Sequence, residues 1–196
     1  MSAFEHQTQE SMRGEFRDVK ISARYAMLYA AVFFSPGVFT PFFPLFLSFQ
    51  GFDAAAVGLL LALSGPARVV GNPMMLWLID LGAPARMLLV ASHVFAAIVF
   101  ALSVFTTSFW PMAILLALAS FIHAPSVAIV DATVTRASRR DPALGYGRIR
   151  VWGSISFIAA TLIGGFVVQH FSPIAAVWLL VAGMVAGAAF FTLTPR

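Results

Sequence analysis

Four ionisable side chains stand inside long apolar runs: Arg68, His123, Asp131 and Arg150. Burying such a group at membrane depth costs roughly 2.5–3.5 kcal/mol on insertion scales, so each is a candidate for function. Asp131 and Arg150 can form a carboxylate–guanidinium pair. A carboxyl that gains and loses such a partner can take up a proton in one state and release it in another, or bind a solute. The alternative is a static ion pair at the membrane interface. Arg68 is either an anion or proton-coupling site or a structural arginine bonded to backbone carbonyls. His123, in "FIHAPSVAIVD", can relay protons near neutral pH or can be a packed residue bonded to a carbonyl. The packed reading also covers His93 and His170. Asp80 and Arg86 flank a short turn, "LIDLGAPAR", where they can latch neighbouring helix ends through their dipoles or simply be solvated. No His and carboxylate spacing marks a metal site, and there is no G-x-S-x-G, P-loop or H-E-x-x-H. The chain reads as a non-enzyme with no cofactor.

These side chains need elements to carry them, and the composition restricts what those are. Hydrophobic residues make up 60% of the chain and charged residues 10%, against about 25% charged in a soluble domain. The apolar runs reach the roughly 20 residues that span a bilayer as helix. They do not alternate as barrel strands do. The expectation is an all-α integral membrane protein with spans at 25–49, 55–79, 87–105, 109–135, 149–169 and 173–193. A sizeable loop is expected only at 136–147. Residues 1–22 read as a cytoplasmic tail and 23–196 as one six-helix bundle. The first apolar run is too long for a signal-peptide core.

With the N-terminus inside, the inner segments hold Arg13, Arg17, Lys20, Arg24, Arg86, Arg136, Arg139, Arg140, Arg148, Arg150 and Arg196, and the outer loops hold no Lys or Arg. That is a strong positive-inside bias, placing both termini in the cytoplasm. The basic charge therefore orients the chain in a bilayer and does not indicate nucleic acid. Arg68 lies near the centre of span two, and Asp131 about 7–8 Å inside the end of span four at 1.5 Å per residue. Arg150 lies at a similar depth at the start of span five, so the two can meet across antiparallel helices. The prolines of "SPGVFTPFFP" break span one, which is tolerable where neighbouring groups satisfy the freed carbonyls. Gly183 and Gly187 have the spacing of a close-packing seam.

Three stretches carry a resemblance: "GVFTPFFPLFLSFQGFDAAAVGLLLAL", "LIDLGAPAR" and "YGRIRVWGSISF". With them the chain resembles the N-terminal six-helix half of a major facilitator superfamily transporter, in the phenylpropionate-permease-like branch related to lactose permease and other sugar–proton symporters. Leu81 departs from the pattern, which has a basic residue there. The resemblance implies that Asp131 and Arg150 pair at a solute and proton site, with Ser154 and Phe157 as further solute contacts. It implies secondary active transport, by proton symport, of a small organic solute such as an aromatic acid, a sugar or a nucleoside. It implies residence in the inner membrane. It also implies a second six-helix half, whether beyond Arg196 or in another chain, so the chain is expected to be a fragment or split product. The competing expectation is a truncated, non-transporting membrane protein or scaffold.

Overall fold

The computed structural model describes residues 2–123 and 125–193, leaving aside the side chains of 2–20, 143 and 193. The helices are α1 (Ser2–Phe49), α2 (Ala54–Asp80), α3 (Ala85–Ser103), α4 (Phe109–His123), α5 (Pro125–Arg140), α6 (Tyr146–His170) and α7 (Pro173–Leu193). A single 3-10 turn, Pro142–Leu144, joins α5 to α6. Among the described residues, six segments are long and apolar enough to cross a membrane, with Ile21–Phe49 as the first and Phe109–Arg140, which includes α4 and α5, as the fourth. The expected six-span, all-α architecture is what the chain adopts. Arg196 lies outside the described residues.

The connection expected at 136–147 is shorter than the sequence suggested. Helix α5 continues to Arg140, and α6 starts at Tyr146. Arg139 and Arg140 fill the last turn of α5, where cations complement the negative end of the helix dipole. Buried Leu144 pins the turn between them. Arg148 and Arg150 are thereby helical residues rather than loop residues.

The C-terminal ends of α1 and α2 share a different device. Phe52 N–H bonds to Leu47 C=O and Gly51 N–H to Ser48 C=O. Ala83 N–H bonds to Leu78 C=O and Gly82 N–H to Ile79 C=O. Both are Schellman caps, and their left-handed positions are filled by Gly51 (φ 95°) and Gly82 (φ 96°), the residue type that adopts them without strain. Asp53 then caps α2 by accepting a 2.7 Å bond from Ala56 N–H.

Helix α1 is the axis of the bundle, packing mainly on α6 and α7, while α2 lies on α4 and α3 on α7 and α4. It remains helical through Pro36, Pro41 and Pro44. Pro41 has no N–H for the carbonyl of Gly37, and Thr161 Oγ1 of α6 donates to that carbonyl at 2.9 Å instead. Ser156 Oγ donates to Ala30 C=O at 2.7 Å one stretch further along the same interface. Small residues let these backbones approach. A Cβ on Gly37 would come within 2.6 Å of the Phe157 carbonyl oxygen. Gly183 faces the ring of Phe34, and Gly187 that of His93, so the glycine pair of α7 is a packing seam against α1 and α3.

Two apolar clusters fill the bundle. One centres on Phe43, Phe46, Leu60, Met112 and Leu180. The other, toward the arginine-rich end, centres on Tyr29, Val32, Ile129, Ile149 and Phe191. Buried Ser35, Ser92, His93, Ser120 and Ser126 belong to neither, and by chain position they form a polar layer between the two. Its arrangement depends on close approach of α2 to α4, since a Cβ on Gly71 would overlap the Phe121 carbonyl oxygen, whereas Gly65 on the same helix faces open space. Gly71→Ala should lower stability by about 1–3 kcal/mol, as overpacking does. Gly65→Ala should leave it unchanged or raise it by up to ~1 kcal/mol. Thermal unfolding of the detergent-solubilised variants distinguishes the two.

Candidate functional site

Three helices meet at Asp131. Helix α1 brings Tyr29 and Phe33, one turn apart; α5 brings Asp131; α6 brings Tyr146 and Arg150, again one turn apart. Residues four apart share a helix face, so α6 offers two side chains to the carboxylate, while α1 offers Tyr29 to the carboxylate and Phe33 to the guanidinium. Tyr29 Oη donates to Asp131 Oδ1 at 2.5 Å. Tyr146 Oη reaches the same oxygen at 3.4 Å. Arg150 Nε stands 3.8 Å from it. All three contacts fall on Oδ1; among the described residues none reaches Oδ2.

The guanidinium has a second set of neighbours. Arg150 Cζ lies 4.5 Å from the centre of the Phe33 ring and 5.4 Å from that of Tyr29, within the range of a cation–π contact. Gly153 makes room for this: a Cβ there would stand 3.0 Å from Phe33 Cδ2 and 3.4 Å from Arg150 Nη1. The side chains of Arg150 and Asp131 are 35% and 36% exposed. The pair is therefore open on one side rather than sealed in the core.

A cavity of about 270 Å³ shares the Phe33 ring with this cluster, while Asp131 and Arg150 themselves do not line it. Phe33, Phe39 and Phe100 give it aromatic walls, and Arg68, Ser35 and His123 give it polar ones. Arg68 and His123, separate candidates in the sequence, are thus brought to one place. Val127 also lines it, one helical turn before Asp131, and Phe33 belongs to both cavity and pair. Behind His123, the buried His93 donates from Nδ1 to Leu89 C=O at 2.9 Å, which leaves its Nε2 as the bare nitrogen. The two imidazoles meet edge to face at 4.6 Å. Ser35 Oγ, His123 Nδ1 and His93 Nε2 are buried with no protein hydrogen-bond partner. Buried polar atoms are nearly always satisfied, and the two of these residues that line the cavity, Ser35 and His123, mark a place for water or a ligand. No group of three or more potential metal ligands occurs among the described residues.

The remaining sequence candidates lie elsewhere. Ser154, one turn beyond Arg150, is exposed, and Phe157 is half-buried with its carbonyl against Gly37; neither lines the cavity. Asp80 ends α2 and Arg86 opens α3, with no ion pair between them among the described residues. Each carries the charge that its own helix end disfavours. The turn between them is held by the Schellman cap described above.

Tyr29, Phe33, Ser35 and Tyr146 were not singled out by sequence. One signal was available. The chain has twenty Phe and three Tyr, and two of those three tyrosines bond to Asp131. A hydroxyl on a ring, where the chain otherwise uses Phe, marks a ring with a polar partner.

The family model described as the MFS_1 like family matches residues 19–195. A "Probable 3-phenylpropionic acid transporter" of Escherichia coli (strain K12) is 30% identical over 176 residues, covering 87% of this chain and 45% of the relative. A "Maltose permease" of Geobacillus stearothermophilus is 24% identical over 173 residues, covering 88% and 44%. Among solved structures, the nucleoside transporter NupG superposes with a TM-score of 0.80 at 18% identity, over 89% of this chain and 44% of that one. Its D323A mutant gives 0.78. The chain spans about half the length of the curated relatives it matches. On the strength of a match over nearly its whole length, together with this six-helix architecture, the chain belongs to the MFS_1-like family and has the fold of a major facilitator half.

Proposed function

We propose that this chain is the N-terminal half of a secondary transporter that carries a small organic solute with protons. The observation that carries this reading is the convergence of Tyr29, Tyr146 and Arg150 on Asp131, beside a cavity at membrane depth that holds Arg68. A carboxylate is costly inside a membrane unless it is paired or performs work there. Here all three contacts fall on Oδ1, which leaves Oδ2 without a protein contact among the described residues. Protonation removes the attraction that holds Arg150 to the carboxylate.

In this reading the solute occupies the cavity. Its walls suit an aromatic acid: phenyl rings on Phe33, Phe39 and Phe100, a guanidinium on Arg68, and the unpartnered Ser35 hydroxyl and His123 nitrogen to take hydrogen bonds. The phenylpropionate-transporter relative supports that class over sugars and nucleosides. A second six-helix half closes the site, and rocking of one half against the other opens it alternately to each side. The distribution of Lys and Arg supports cytoplasmic termini, and the bacterial relatives support the inner membrane.

Two measurements test this, both on membrane vesicles containing the chain together with its second half. Asp131→Asn and Arg150→Ala should each lower proton-gradient-driven uptake of 3-phenylpropionate by about tenfold or more, because each leaves the other charge of a partly exposed membrane pair without its partner. Unchanged uptake in both variants would reject the pair as the working site. For the solute, 3-phenylpropionate should compete for binding about tenfold better than its uncharged amide, and Arg68→Ala should erase that preference, a difference of ~1.4 kcal/mol. Equal competition by acid and amide in the wild type would exclude Arg68 as the anion partner.

A further inference from the structure

We propose that Phe33 is a positioning residue that holds Arg150 independently of Asp131. This rests on the pair being the working site, but its test needs no transport. Arg150 has two partners of different kinds. One is the Asp131 carboxylate, whose nearest oxygen is 3.8 Å from Nε, longer than the 2.7–2.9 Å of a well-made charge-assisted hydrogen bond. The other is the aromatic surface of α1, with the Phe33 ring centre 4.5 Å from Cζ and the Tyr29 ring centre 5.4 Å away. The carboxylate contact is loose, and the aromatic contact is close. A carboxylate that takes up a proton loses its hold on a cation, whereas the face of a phenyl ring does not titrate. The arginine is therefore retained at the site through the protonated state and does not leave it.

The surroundings of the ring serve this role. Gly153 is the one-turn neighbour of Arg150 on the inner face of α6, and the space where its Cβ would sit is taken by Phe33 Cδ2 and Cγ, at 3.0 and 3.2 Å from that position. The ring is thus clamped between the guanidinium and the α6 backbone. Phe33 also forms part of the cavity wall, so a solute in the cavity touches the same ring that seats Arg150. Tyr29 contributes in two ways, its hydroxyl to Asp131 and its ring to Arg150, which ties the two partners of the arginine to one helix.

Phenylglyoxal, which modifies accessible guanidinium groups, tests the seat directly. Labelling is mapped by mass spectrometry in membranes, and exposed Arg148, two residues away, serves as the internal reference. The Arg150-to-Arg148 ratio should rise less than about threefold in Asp131→Asn, and about tenfold in Phe33→Leu and in the double variant, the scale of one partly desolvated cation–π contact. Phe33→Tyr, which keeps the aromatic face, should hold the ratio at the wild-type level, whereas Phe33→Met, which keeps apolar bulk without that face, should raise it as Phe33→Leu does. The proposal is overturned if Asp131→Asn by itself raises the ratio as far as the double variant does, or if Phe33→Leu leaves it within about twofold of wild type. Should Phe33→Leu fail to insert, Asp131→Asn alone decides: a tenfold rise there means the carboxylate was the only anchor.

Discussion

Inside a bilayer there is no water to complete a hydrogen bond, so every polar group must find its partner within the protein. This constraint explains most of the bundle. Pro41 strands the carbonyl of Gly37, and Thr161 reaches across from α6 to take it. The ends of α1 and α2 are closed by their own backbones through glycines at 51 and 82. His93 bonds to the carbonyl one turn behind it. Where side chains cannot reach, glycines at 37, 71, 183 and 187 bring helices close enough for packing to replace the hydrophobic driving force that lipid does not provide.

Against that background, the groups that escape full satisfaction stand out. Ser35 Oγ and His123 Nδ1 are buried without partners, and both residues line the cavity together with an exposed arginine and three phenyl rings. The Asp131–Arg150 pair is a third exposed and loosely joined. A contact this long on a pair this exposed holds its partners weakly, and the ring of Phe33, which touches the guanidinium and lines the cavity, connects the two regions.

Much of the fold was legible in the sequence, because span length, hydropathy and the one-sided distribution of arginine are strong, additive signals. The depth of Asp131 and Arg150 followed from counting residues along helices, and the two do meet. The sequence did not reveal the short α5–α6 connection, because helix continuation to Arg140 is decided by the end of the helix dipole and by Leu144 packing into a distant cluster. Nor did it reveal Tyr29 or Phe33. In a chain with twenty Phe, an aromatic residue in span one reads as lipid-facing or core, and only tertiary contact distinguishes the ring under a guanidinium from the rest. Ser154 and Phe157, placed at the site by resemblance, lie outside the cavity in this half. Arg68 and His123 join through packing of α2 against α4, a contact that no local pattern encodes.

The central claim is that Asp131 and Arg150 act as one unit. The most direct measurement is a double-mutant cycle on proton-driven uptake, comparing Asp131→Asn, Arg150→Gln and the two combined. Groups that work as a unit are strongly non-additive. The combined variant should therefore lose no more activity than the worse single variant, because neither charge is then left alone in the membrane. Losses that multiply, each substitution costing the same factor whether or not the other is present, would show two independent residues and contradict the coupled pair.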